Sequence, residues 1–189
     1  MRIRAGFLIL AVSGLLMAEF GKETYACVTS ENITHNVISS GELKISVDEW
    51  ADLERNERFP ETAVSGIVPG SSVIKVAEVT NESDHPVFIR VDLRVTEDGK
   101  EAVSYEDQEL LTLSLGDDWE RGEDGFYYYH EAVAPRDVTT TVFTEVLFSK
   151  DLLHEDQGKL VRLKVNAAAV QSEHNGESAL LAAGWPSWN

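Results

Sequence analysis

Five histidines, at 35, 85, 130, 154 and 174, and one cysteine, Cys27, are the residues of this 189-residue chain best suited to hold a metal or attack a substrate. A zinc-protease helix needs two histidines four residues apart, so that both face one ion with a glutamate beside them. His130-Glu131 is followed by Ala-Val-Ala and His154-Glu155 by Asp-Gln-Gly, so neither supplies the second histidine. Cys27 sits behind an apolar leader with no base fixed beside it, and no G-x-S-x-G elbow occurs. GDDWERGEDG (116–125) is dense in carboxylates but lacks the D-x-D-x-D-G order that spaces the oxygens of a calcium loop. The residues therefore call for no catalytic group, no cofactor and no metal centre.

The remaining chemical signals are weaker. Trp119, Phe126, Tyr127, Tyr128 and Tyr129 form an aromatic cluster that could bind a sugar or peptide. In a strand, such a run more often gives core on one face and cross-strand contact on the other. Asn32-Ile33-Thr34 and Asn81-Glu82-Ser83 match the N-glycosylation pattern, which is short enough to arise by chance.

The segments that would position these groups read as strands. In VFIRVDLRV (87–95), Ile89, Val91, Leu93 and Val95 alternate with Arg90, Asp92 and Arg94, the period of a half-buried strand. KLVRLKVNAAAV (159–170) repeats it, with Val161, Leu163, Val165, Ala167 and Ala169 against Arg162, Lys164 and Asn166. GELKISVDEW (41–50), SVIKVAEVTN (72–81), QELLTLSL (108–115), GFYYYH (125–130) and DVTTTVFTEVLF (137–148) are rich in β-branched or aromatic residues. VPGS (68–71), NESDHP (81–86), TEDGK (96–100), GEDG (122–125) and APRD (134–137) supply turns between them. Helical signals are confined to 48–57, 149–158 and 176–185. This pattern predicts an all-β fold, an antiparallel jelly-roll-like β-sandwich with a few short helices.

Charge and the N-terminus narrow the setting. Asp and Glu number 33 against 16 Lys and Arg, a net charge of −17, which disfavours nucleic acid and anionic lipid as partners. Met1, Arg2 and Arg4 precede an apolar run from Ala5 to Ala18 and a polar stretch from Glu19 to Thr24. That layout predicts a signal peptide over 1–26. The run is shorter than the roughly 20 residues that cross a bilayer, so no stable membrane insertion is expected. Cleavage after Ala26 would leave residues 27–189 as one domain beginning at Cys27, with no second cysteine for an internal disulfide.

TYACVTSENITHNVISSGELKISV (24–47), IVPGSSVIKVAEVTNESDHPVFIRVDL (67–93), the Trp119 to Tyr129 stretch with VAPRDVTTTVF (133–143), and VRLKVNAAAVQSE (161–173) resemble, in the same order, the TasA/camelysin (CalY) family of Gram-positive secreted proteins. The resemblance implies a jelly-roll-like sandwich, export through a SipW-type signal peptidase that cuts after Ala26, and self-assembly into fibres of an extracellular biofilm matrix. Other matrix proteins would be further partners. It also implies that the new N-terminal arm, residues 27–38, completes the sheet of the next subunit, with Val28, Ile33, Val37 and Ile38 as apolar contacts. The physics agrees with either fate of the arm: pairing to a neighbour's exposed sheet edge, or folding back as the first strand of its own sheet. The cysteine at the mature start departs from the family, where a small or aromatic residue is common.

Two other functions compete with the fibre subunit. Camelysin-like members imply a metal-dependent surface protease, but no residues are available here to carry that activity. A monomeric adhesin or lipoprotein anchored through Cys27 would normally have an aliphatic residue three positions before the cysteine, where Thr24 stands. The thiol also leaves open a cross-link between neighbouring subunits.

Overall fold

The computed structural model describes residues 26–29, 38–39, 43–60, 64–67, 69–97, 100–152 and 160–187. Its strands are β1 (Ala26–Thr29), β2 (Ile38–Ser39), β3 (Ile45–Trp50), β4 (Val64–Ile67), β5 (Ser72–Asn81) and β6 (Val87–Glu97), followed by β7 (Val103–Ser104), β8 (Leu111–Leu115), β9 (Trp119–Arg121), β10 (Tyr127–Tyr129), β11 (Phe143–Phe148) and β12 (Leu160–Gln171). One sheet runs β4-β1-β12-β6-β10-β9, with β2 beside β12 and β7 beside β6; the other runs β3-β5-β11-β8. The two sheets form an all-β, predominantly antiparallel sandwich, and the chain alternates between them in jelly-roll fashion. The helical signal at 176–185 yields only the single 3₁₀ turn Ala179–Leu181, and a second such turn spans Tyr105–Asp107.

Alternation decides which side chains meet between the sheets. Val87, Ile89, Val91, Leu93 and Val95 of β6 and Val161, Leu163, Val165, Ala167 and Ala169 of β12 line one wall of the core. Ile45 and Val47, Ala77 and Val79, Leu111 and Leu113, and Phe143 and Val146 supply the other. Each Val, Leu, Ile or Phe among them contributes on the order of 1.5–3 kcal/mol by leaving water. With one cysteine in the chain, this burial carries the fold.

Several segments depart from the sequence reading for local reasons. β6 is not half-buried: Arg90 and Asp92 on its outer face are each only 7% exposed, as is Asn166 opposite on β12. The helical signal at 48–57 becomes the end of β3 and a tight return in which Arg58 bridges to Trp50. There the Asp52 carboxylate accepts the N–H groups of Asn56 and Glu57, a local bond that competes with a helix. Residues 153–158 of the helical signal at 149–158 lie outside the described residues. β8 begins only at Leu111 because the Gln108 side chain accepts the N–H groups of Leu110 and Leu111, turning the chain at a corner. β11 is likewise delayed: the Thr139 hydroxyl accepts the N–H of Val79, occupying a place a ladder carbonyl would otherwise take.

The turn at Asn81 pins the two sheets together. Asn81 is fully buried, and its Nδ2 donates to the carbonyls of His85, Val133 and Ala134 at 2.9, 3.0 and 3.1 Å. Its Oδ1 accepts the N–H of Ser83 at 2.9 Å. The glycosylation pattern at Asn81-Glu82-Ser83 is therefore closed in the folded protein, because the nitrogen that would carry the sugar is already committed. Asn81→Ala leaves these buried groups without partners, and the expected loss is about 1–3 kcal/mol in urea unfolding. A loss within a few tenths of a kcal/mol of zero would show that water replaces the amide.

Candidate functional site

The residues singled out at the N-terminus come together along one strand. β1 lies between two partners: it runs parallel to β12, with Cys27 opposite Leu160, Val28 opposite Val161 and Thr29 opposite Arg162. On its other side it runs antiparallel to β4, with Ala26 opposite Ile67 and Val28 opposite Val64. β2 also runs parallel to β12, placing Ile38 opposite Ala168 and Ser39 opposite Ala169. Ala26, Cys27, Val28 and Ile38 are thus backbone neighbours of β12 or β4, while Ile33 and Val37 lie outside the described residues. Within one chain, β1 fills a slot with a strand on each side.

The aromatic cluster is divided between the two faces of the sheet. Trp119 and Tyr127 point into the core, and Tyr129 stacks at a tilt on Trp119 with ring centroids 5.1 Å apart. Tyr128 points outward, where it joins Phe88, Val170 and Ala179 in a second buried cluster roofed by the C-terminal segment. Trp185 meets Tyr128 edge-on at 5.6 Å. The strand at Trp119–Arg121 escaped the sequence reading because its flanks are acidic and glycine-rich. What makes it a strand is the Gly122–Gly125 turn, whose N–H of Gly122 bonds the Phe126 carbonyl. A Cβ on Gly122 would come within 2.7 Å of the Tyr128 ring, so the tight turn and the ring's position require glycine.

Arg90 is the most heavily engaged polar side chain under that roof. Its guanidinium carbon lies 3.9 Å from the Phe126 ring centre and 4.8 Å from that of Trp185. Its N–H groups reach Asp124 at 3.3 Å, the Tyr128 hydroxyl at 3.1 Å and the Pro186 carbonyl at 3.1 Å. The Tyr128 hydroxyl in turn donates to Asp124 at 2.6 Å. These contacts fasten the C-terminal segment to the sheet and occupy the face a sugar or peptide would need. Beside them, an open cleft of about 490 Å³ is walled by Glu120, Arg121, Glu123, Asp124, Tyr128 and Leu180.

The other buried cation is equally closed. Lys75 is fully buried, with Nζ 3.0 Å from Glu49 and 4.8 Å from the Phe59 ring centre. The two groups are close enough for an ion pair, although the angle falls outside hydrogen-bond geometry. His35 and His154 lie outside the described residues. Among those described, no group of three or more His, Cys, Asp or Glu is placed to share an ion.

Compared with known proteins, the chain matches no family model, no curated protein and no solved structure.

Three buried phenols give the sandwich an alkaline limit. Burial raises the ionisation of Tyr105, Tyr127 and Tyr128 above the ordinary value of 10.0, helped at Tyr127 by its hydrogen bond to Glu106 and at Tyr128 by that to Asp124. A group whose folded value is raised contributes stability that is complete below its unfolded value and lost as pH climbs toward the folded one. Unfolding free energy should therefore hold up to about pH 10 and fall above it, with the phenolates of these three tyrosines appearing together with loss of the fold. Ionisation of Tyr105, Tyr127 or Tyr128 at pH 10, followed ring by ring by NMR in a protein that stays folded, would contradict the buried positions.

Proposed function

We propose that this protein is a secreted structural subunit that assembles into extracellular fibres by exchanging its N-terminal arm, residues 27–38, between neighbouring copies. The observation that carries the reading is the slot between β4 and β12, filled by a strand from the extreme N-terminal side of the chain. After cleavage at Ala26, a strand beginning at Cys27 is a free end, and it leaves or enters the slot without threading. The β1–β12 pairing is short and parallel, from Cys27 to Thr29, whereas β6 and β12 pair continuously from Val161 with Glu97 to Gln171 with Val87. Parallel pairing is slightly weaker per residue, so the arm is the cheaper element to detach. An arm from a second copy has the same sequence and makes the same main-chain bonds in the same slot. Each subunit then gives one arm and receives another, a head-to-tail contact that does not close and so grows into a filament.

Electron microscopy of the mature chain, residues 27–189, should show filaments, and a chain starting at residue 39 should not form them. The only native cysteine allows a sharper measurement, because Cys27 is the register partner of Leu160. A disulfide through Cys27 alone stops at a dimer. The L160C variant, oxidised after assembly, should instead give a ladder beyond dimer on a non-reducing denaturing gel, and the ladder should vanish in a variant that also carries Cys27→Ser. Persistent monomers, or an L160C protein whose only cross-link is within one chain, would sink the exchange.

A further inference from the structure

The outer face of the β6–β12 pair is divided into two halves. One half, with Phe88, Arg90 and Val170, is roofed by the C-terminal segment. The other half carries Arg94, Lys164 and Arg162, three cations in a chain with a net charge of −17. Arg94 and Lys164 are direct register partners, so two like charges face each other across the pair. Such an arrangement is destabilising unless something answers it. Asp92 answers Arg94, whose Nε lies 2.8 and 2.9 Å from its two carboxylate oxygens. Among the described residues, Lys164 makes no ion pair, and it is half-buried while the Arg94 side chain is 42% exposed.

The opposite situation holds at the far edge of the same sheet. Asp117, Asp118, Glu120 and Glu123, on and around β9, are all exposed. Among the described residues none of the four has a cation partner. They cannot reach Lys164 in their own chain. Glu120 lies in the row Glu120–Tyr128–Arg90–Ala168, three strand spacings from β12, or about 14 Å, and Lys164 is four residues further along, about 13 Å more.

We propose that the Arg94–Lys164 stripe is an interaction surface for a second copy of this chain, which docks its acidic 116–125 segment there. The complementarity is specific in sign: a cationic stripe on a strongly acidic protein meets the carboxylates at the opposite end of the same sheet. Because donor and acceptor surfaces differ, the contact is head-to-tail and can repeat. Lys164 is two residues past Arg162, the register partner of Thr29, so the stripe adjoins the slot of β1, and the carboxylate joined to Lys164 is what tells this contact from arm exchange.

The test uses the mature protein, mixed from ordinary and ¹⁵N-labelled preparations, and a zero-length carbodiimide that joins amines to carboxylates in direct contact. Mass spectrometry should find Lys164 joined to a carboxylate of the 116–125 segment in light–heavy pairs. K164E puts an opposite charge across from Arg94, so it should fold with an unchanged or raised melting temperature. It should nevertheless weaken self-association by about tenfold in sedimentation, since it now repels the incoming carboxylates. Lys164 left unjoined, joined only within one chain, or joined to other acidic segments would overturn the proposal, as would K164E associating like the native protein. Filaments without the Lys164 link would retire this contact alone and leave arm exchange standing. The link without filaments would do the reverse.

Discussion

The antiparallel ladder between β6 and β12 is the constraint on which the rest of the molecule depends. It is the longest pairing described, running from Val87 opposite Gln171 to Glu97 opposite Val161. Its inner face supplies one wall of the core. A shift of one residue would send Ile89, Val91, Leu93 and their neighbours to the opposite face, so core burial holds the register. The outer face then inherits its pattern without further choice: Phe88 beside Val170, Arg90 beside Ala168, Asp92 beside Asn166, Arg94 beside Lys164. The small side chain of Ala168 beside Arg90 and the apolar pair Phe88 and Val170 define the end that the C-terminal segment covers, and the pairs Asp92–Asn166 and Arg94–Lys164 make up the polar end.

Much of this was legible in the residues. The strand at 72–81 coincides with β5, and the alternation in 87–95 and 159–170 identifies the inward residues of both central strands. What alternation cannot show is a second layer. A period of two says which side chains share a face, and it is silent on whether a distant segment covers that face. Arg90 and Asp92 read as solvent-facing from their place in the alternation. The cover over Arg90 comes from Trp185 and Pro186, nearly a hundred positions away in sequence.

The N-terminal residues mark another limit of the same kind. Val28 and Ile38 read as apolar positions of an arm, and their places beside β12 follow from long-range parallel pairing that no turn motif announces. Parallel neighbours need a long connection, so the sequence between them carries little information on which strand receives the arm. The short strand at Trp119–Arg121 is hidden by its acidic and glycine-rich surroundings. It exists because the Gly122–Gly125 turn delivers it to β10, with Trp119 buried on the core side.

The corner at Asn81 separates two lives of one short motif. In the extended chain, Asn81-Glu82-Ser83 is an ordinary acceptor sequence for a sugar. Once the corner closes, three carbonyls from two loops hold the same nitrogen. A glycan on Asn81 and the closed corner are mutually exclusive. In a host whose secretory machinery modifies nascent chains, the order of events would decide between them: an early sugar would block the corner, and an early fold would hide the motif.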